Sequence, residues 1–190
     1  MQYALSLCLF ALLVAMVPVR AAALRRRGVR AMAFGKTDRS DFLLMPLVLA
    51  FVYIMSARVF GLPVWGPLFN PFWAGGAPGW AGLALCAIAV AGFALTLAGF
   101  GDSFRVGIDD ERPDRLITTG AFAVSRNPIY VCFLAFFAGQ LLIHRNPAIA
   151  AVAALFAMAI HRQVIREEAF LARHYGAEYE AYRKRVRRYL

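Results

Sequence analysis

The sequence predicts an all-α integral membrane protein with about five transmembrane helices and a cytoplasmic C-terminal helical extension. Three observations carry this. First, 61% of the 190 residues are hydrophobic and the mean hydropathy is +0.60, whereas a soluble domain is nearer half apolar. Second, the excess is gathered into long blocks almost free of charge. Third, the 21 Lys and Arg cluster between those blocks: seven from Arg20 to Arg39, four from Arg105 to Arg126, and eight from Arg162 to Arg188. Only Arg58 and Arg145 fall elsewhere. That spacing is the positive-inside pattern, so the net charge of +10 sets topology and meets anionic lipid headgroups. It argues against a nucleic-acid surface.

Each element follows from its local chemistry. Residues 3–19 form the first apolar block. A cleaved secretory signal is the alternative, because Ala21, Ala22 and Ala23 follow it, but nothing basic precedes it and a dense basic run comes after. That charge order predicts a retained helix with the N-terminus outside. Residues 20–41 then read as a basic cytoplasmic loop, with a short helix on the headgroups as one form. Residues 42–60 make the second span, with Pro46 in its first turn or kinking it. The stretch 61–79 is uncharged and rich in Gly, Pro and Trp. It reads as an interfacial loop anchored by Trp65, Trp73 and Trp80.

Residues 80–100 form the third span, in which small residues such as Gly82 and Ala84 permit close helix packing or leave a groove for a lipid chain. Residues 101–128 are a cytoplasmic loop of mixed charge. A hairpin follows, with spans at 129–143 and from 148 onward and a turn at His144-Arg145-Asn146-Pro147. Fifteen apolar residues cover only about 22 Å of helix, short of the roughly 30 Å hydrocarbon core. The hairpin is therefore expected to continue as helix through its polar feet, the fifth span running unbroken past His161, Arg162, Arg166 and Glu167. The tail 169–190 predicts an amphipathic helix or helix pair broken near Gly176. Cys8, Cys86 and Cys132 all lie in apolar blocks and read as buried packing residues. The whole is a multi-pass, single membrane domain over 1–190, with 1–79 as two spans and an interfacial loop and 80–190 as the functional core. In a bacterium this would sit in the inner membrane.

The chemistry-bearing residues bracket that hairpin. Ser125-Arg126-Asn127-Pro128-Ile129-Tyr130 precedes it and Arg166-Glu167-Glu168 leaves it. Charge so close to hydrocarbon is costly and marks a site. On the predicted topology the bracket and the tyrosine-rich tail share the cytoplasmic side. A polar reagent from solution and an apolar substrate from lipid could meet there. Each residue also has an ordinary reading. Arg126 could be one more positive-inside residue, Glu167 and Glu168 could pair with Arg162, Arg166 or Arg173 along the helix, and Tyr179 and Tyr182 could be interfacial anchors. No GxGxxG, GxSxG or HExxH is present, and the three histidines are scattered, so neither a Rossmann nucleotide site nor a metal site is expected.

Thr119-Gly120-Ala121-Phe122 followed by Ser125 to Tyr130 resembles the signature T-G-x-[YF]-xxx-R-[HN]-P-x-Y of the isoprenylcysteine carboxyl methyltransferase family. That family belongs to a wider group with the phospholipid N-methyltransferases. The segments 101–109, 165–171 and 175–189 are similar to further stretches of its prokaryotic members, in order. The resemblance covers roughly residues 80 to 190. It implies an S-adenosylmethionine-dependent enzyme that methylates a lipophilic, membrane-embedded acceptor, either an isoprenylcysteine-type carboxylate or a similar group.

The same resemblance implies roles residue by residue. Gly120, Arg126, Asn127, Pro128, Tyr130, Glu167, Glu168, Tyr179 and Tyr182 would hold the cofactor, and Arg126, Asn127 and Glu167 would be catalytic. Tyrosine faces suit a sulfonium that is lost on transfer. Glu167 and Glu168 suit ribose hydroxyls or an ammonium, and Arg126 suits a carboxylate. Pro128 would set the chain direction into the fourth span. Many eukaryotic relatives have histidine where this chain has Asn127, which cannot titrate near neutrality and so cannot be a general base. Arg105 and Asp109 are explained equally by a loop salt bridge. The alternatives are a phospholipid amine N-methyltransferase, a lipid or sterol reductase using NADPH, and a non-catalytic membrane protein.

Overall fold

The computed structural model describes residues 1–26, 44–73, 76–100 and 116–190. These residues form α-helices with one short 3-10 turn. The helices are α1 Gln2–Arg26, α2 Leu44–Phe60, a single turn α3 Gly66–Phe69, α4 Ala77–Gly99, α5 Pro128–His144, α6 Pro147–Tyr175 and α7 Ala177–Arg185. The 3-10 turn is Gly120–Ala123. Three of these helices, α1, α4 and α6, are long and apolar enough to cross a membrane, and α2 and α5 are shorter apolar helices. Ile88 and Leu95 are 68% and 72% exposed, as expected of side chains that face lipid rather than water. The predicted all-α membrane class therefore stands.

Several boundaries differ from expectation. Helix α1 passes through Pro18 and Arg20 to Arg26 instead of stopping at residue 19. Ala21 and Leu24 are buried against the other helices, so the alanine-rich stretch is held as helix. The rest of the expected basic loop, residues 27–41, lies outside the described residues, as do residues 42 and 43 of the expected second span. Helix α4 starts at Ala77, three residues early, because Pro78 sits at a first-turn position where its missing N–H costs nothing. Cys8 is exposed rather than buried, while Cys86 is buried.

Helix α1 packs into the bundle, its Phe10 ring 5.1 Å from Phe51 of α2 and 6.1 Å from Phe136 of α5. The closest helix contact joins α4 and α5. A Cβ added at Gly82 would lie 2.5 Å from the Gly139 carbonyl oxygen, and one at Gly139 would lie 2.7 Å from that of Gly82. Small residues in this third span serve close backbone approach. Gly82→Ala is therefore expected to cost about 2 kcal/mol through overpacking against backbone that cannot give way. Gly99→Ala, where nothing lies within 4 Å, should be neutral. Thermal transitions in detergent check the pair.

The packing sorts the molecule into two ends. At one end, Gln2 Nε2 donates to the Gly76 carbonyl at 3.0 Å, the Tyr3 ring lies 5.2 Å from His144, and the Phe72 N–H donates to the Arg145 carbonyl at 2.6 Å. At the other end, Phe100 after α4 packs edge-on against Phe122 of the 3-10 turn at 4.9 Å. The α5–α6 turn forms as the sequence suggests. Arg145 caps α5 in the left-handed region, and Asn146 caps α6 by accepting from the Ile149 N–H at 2.9 Å.

The two feet of the hairpin behave differently. Helix α6 runs 29 residues without a break, about 43 Å. Helix α5 does not extend past Pro128, because Asn127 before the proline takes a non-helical backbone. Gly176, at φ 50°, breaks α6 from α7 as anticipated.

Candidate functional site

Helices α5 and α6 are antiparallel and share the turn at Arg145 and Asn146. The start of α5 therefore lies level with residues about five turns into α6. This brings the two halves of the sequence bracket together, and the chain after α7 closes over them.

Asn127 is the N-cap residue of α5, and its carbonyl accepts the first helical hydrogen bond, from the Val131 N–H at 3.1 Å. Its side chain does not cap the helix. Instead Nδ2 donates to Glu168 Oε1 at 3.0 Å and to the Arg188 carbonyl at 3.1 Å. Arg126 reaches the same Oε1 through Nε at 3.2 Å and Nη2 at 3.0 Å. Its Nη1 donates to the carbonyls of Arg183 and Val186 at 3.1 and 2.9 Å. Glu168 Oε2 accepts from Arg188 Nε at 3.0 Å, and Arg188 Nη2 lies 3.0 Å from it. One carboxylate thus joins α6, the start of α5 and the C-terminal tail.

The backbone completes this clasp. Val186 is extended, and residues 125 and 187 pair as a parallel bridge. The Arg126 N–H donates to the Arg187 carbonyl at 2.9 Å. Ser125 Oγ accepts from the Asn127 N–H at 3.1 Å and donates to the Arg188 carbonyl at 3.2 Å. The side chains of Arg126 and Glu168 are each only 9% exposed, so the pair is shielded from solvent and charge-assisted. The start of α5, positive by its helix dipole, adds a favourable field on the carboxylate. The Glu168 hydrogen bond raises the pKa of Arg188 above its ordinary value.

Glu167 turns to a different face, since neighbours on a helix are about 100° apart. Its Oε1 accepts from the Tyr130 hydroxyl at 2.6 Å and from Gln163 Nε2 at 2.9 Å. Tyr179 and Tyr182 lie in the interior beneath the clasp, their rings 6.1 Å apart. The Tyr182 hydroxyl donates to the Phe122 carbonyl at 2.6 Å, while the buried Tyr179 hydroxyl has no hydrogen-bond partner among the described residues. Burial, then the charge of Glu168, pushes Tyr179 up to about 12. Burial and Tyr179 do the same for Tyr182, up to about 12. Both phenols stay neutral at physiological pH.

The sequence-derived residues thus divide. Arg126, Asn127, Pro128 and Glu168 meet at the clasp, Tyr179 and Tyr182 pack beneath it, and Tyr130 and Glu167 form a separate pair beside it. Gly120 opens the 3-10 turn at φ 61° and is exposed. The 101–109 motif, with Arg105 and Asp109, lies outside the described residues. Of the ordinary readings, Glu168 does not pair along its own helix; it bridges to Arg126 and Arg188. Sequence reasoning missed Arg188 and Gln163 as members, and it placed Ser125 in the bracket without giving it a role. Gln163 was findable, one helical turn before Glu167 and so on the same face. His161 Nδ1 lies 2.9 Å from the Tyr189 hydroxyl.

A family model described as phospholipid methyltransferase matches residues 80–178, about half of the chain, from α4 to the start of α7. The chain belongs to this family. It is a membrane methyltransferase, within the wider group that the motifs suggested. No curated protein matches the chain significantly. The match contains Arg126, Asn127, Glu167 and Glu168 and stops just before Tyr179, so the tail that closes the clasp on this methyltransferase lies beyond it.

Proposed function

We propose that the protein is an S-adenosylmethionine-dependent methyltransferase acting on a lipophilic acceptor held in the membrane, with the clasp end in the cytoplasm and the N-terminus outside. The observation that carries this reading is the joining of Arg126, Asn127 and Glu168 inside the family-matched region, at the polar end of an apolar hairpin. In this reading residues 80–190 are the catalytic core of a single domain, and residues 1–79 add two spans.

The residues present suit this cofactor. Glu167 with Tyr130 offers a half-buried carboxylate for ribose hydroxyls or an ammonium, and the Tyr179 hydroxyl is a buried donor without a partner among the described residues. S-adenosylmethionine supplies an electrophilic methyl group on a sulfonium and leaves as a neutral thioether. Neutral tyrosine rings favour a cation without forming an ion pair that would hold it back. Arg126, Asn127 and Glu168 hold the start of α5 and the tail in register. Orientation of donor and acceptor then supplies most of the rate.

An acceptor carboxylate of the isoprenylcysteine type fits best. Its oxygen forms the new bond to methyl carbon as the sulfur–carbon bond breaks, and no proton has to leave. Asn127 cannot take a proton, and Glu168 is held by two guanidinium groups. The family description favours a second reading, a phospholipid amine, whose ammonium must first lose a proton.

Binding of S-adenosylmethionine to the detergent-solubilised protein should be saturable by calorimetry and should raise the thermal transition. No heat and no shift in a protein that still unfolds cooperatively would overturn the cofactor assignment. Transfer of labelled methyl to a prenylated cysteine gives an ester that releases methanol in base. Transfer to phosphatidylethanolamine gives a base-stable product and would decide for the amine.

A further inference from the structure

At the end of the bundle away from the clasp, charge stands that no carboxylate among the described residues neutralises. Arg58 lies in the last turn of α2 and Arg145 follows α5. They converge on the same loop: Arg58 Nη2 donates to the Phe69 carbonyl at 2.8 Å, and the Phe72 N–H donates to the Arg145 carbonyl. No Asp or Glu occurs between residues 42 and 101 or between 116 and 166, so the segments that build this end contribute no carboxylate.

The turn itself leaves buried polar atoms unmet. His144 is 2% exposed and Asn146 is 0%. Among the described residues, both ring nitrogens of His144, Nε and Nη1 of Arg145, and Nδ2 of Asn146 are buried without a hydrogen-bond partner. Asn146 Oδ1 is already engaged by the Ile149 N–H, so its amide nitrogen is the part left to donate. Orphaned buried donors are rare because each forfeits its water without recompense. The backbone adds to the case. Arg145 is the one non-glycine residue with positive φ among those described, at a helix C-cap where glycine is the usual occupant.

We propose that this turn binds a phosphate-type oxyanion, drawn from a lipid headgroup or from solution. Arg145 brings the charge, His144 and Asn146 bring N–H donors, and the start of α6 brings the positive end of a helix dipole. The 17-residue α5 spans about 25 Å, so the turn stands near the headgroups of the leaflet away from the clasp. Arg145 is half-buried, the most accessible of the three residues.

The test uses the full-length protein in neutral maltoside micelles, read by its thermal transition. Inorganic phosphate is titrated against chloride at matched ionic strength. Separately, dioleoyl phosphatidylglycerol is added against dioleoylglycerol, which has the same acyl chains. A probe that binds should raise the midpoint by about 3 °C at roughly ten times its Kd. A shift with phosphatidylglycerol alone assigns a lipid headgroup, and a shift with inorganic phosphate assigns an anion exchangeable with solution. Arg145→Gly suits the left-handed backbone and should lose the shift. Asn146→Asp keeps the cap oxygen for Ile149, replaces the donor by a negative charge, and should also lose it. No shift with either probe, or an undiminished shift in both variants, overturns the proposal. Methyl-donor binding plays no part in this readout, so the two assignments fail independently.

Discussion

Glu168→Ala should be the most damaging single substitution in the folded protein, lowering stability by about 3 kcal/mol or more. The cost is the group of donors left behind rather than the pair itself. Removing this carboxylate takes the shared acceptor from Arg126 Nε and Nη2, Asn127 Nδ2 and Arg188 Nε together. The Arg126 side chain is 9% exposed and cannot recover its hydration, whereas Arg188, at 38%, recovers part. Glu168→Gln keeps an acceptor oxygen but loses the charge, and should fall between the alanine variant and the wild type. Thermal transitions in detergent rank the three proteins. Limited proteolysis supplies a local readout, because the clasp is what holds residues 186–188 against 125–127. Cleavage beyond Gly176 should accelerate in Glu168→Ala. Unchanged midpoint and unchanged cleavage would show that the clasp does not hold the tail.

That division of labour between adjacent carboxylates was not legible in the sequence. Apolar blocks, positive clusters and the His144-Arg145-Asn146-Pro147 turn announced a helical membrane hairpin, because those signals are local and periodic. Gly176 announced the break before α7 for the same reason. Which of Glu167 and Glu168 points at Arg126 depends on the rotation of α6 relative to α5. That rotation is set by the packing of both helices against their neighbours, and no window of sequence contains it. Arg188 was invisible for a related reason. It joins through extended pairing between residues 125 and 187, a contact across some sixty positions with no repeating pattern. The length of α1 was missed where a local rule yielded to tertiary packing. Arg20 looked like the end of a span, yet Ala21 and Leu24 beyond it are buried.

Glu167→Ala should give the opposite phenotype: turnover falls by about 100-fold or more while the thermal transition stays near that of the wild type. Glu167 lies outside the clasp, so its loss strands no guanidinium there. It is half-buried on the face that carries Tyr130, where its Oε1 accepts from the Tyr130 hydroxyl and from Gln163 Nε2. If it accepts hydrogen bonds from the methyl donor, removal lowers donor affinity as well as turnover. Glu167→Gln, which still accepts from Tyr130, should recover part of both. Tyr130→Phe removes only the hydroxyl that orients Glu167 and should cost less, about tenfold. Kinetics with saturating donor separate the two effects, since a defect confined to donor binding disappears at saturation and one in transfer persists. Two outcomes would move the catalytic role away from Glu167. One is normal turnover and donor affinity in Glu167→Ala. The other is a loss of activity that merely tracks a loss of folded protein, which would make both carboxylates part of one scaffold.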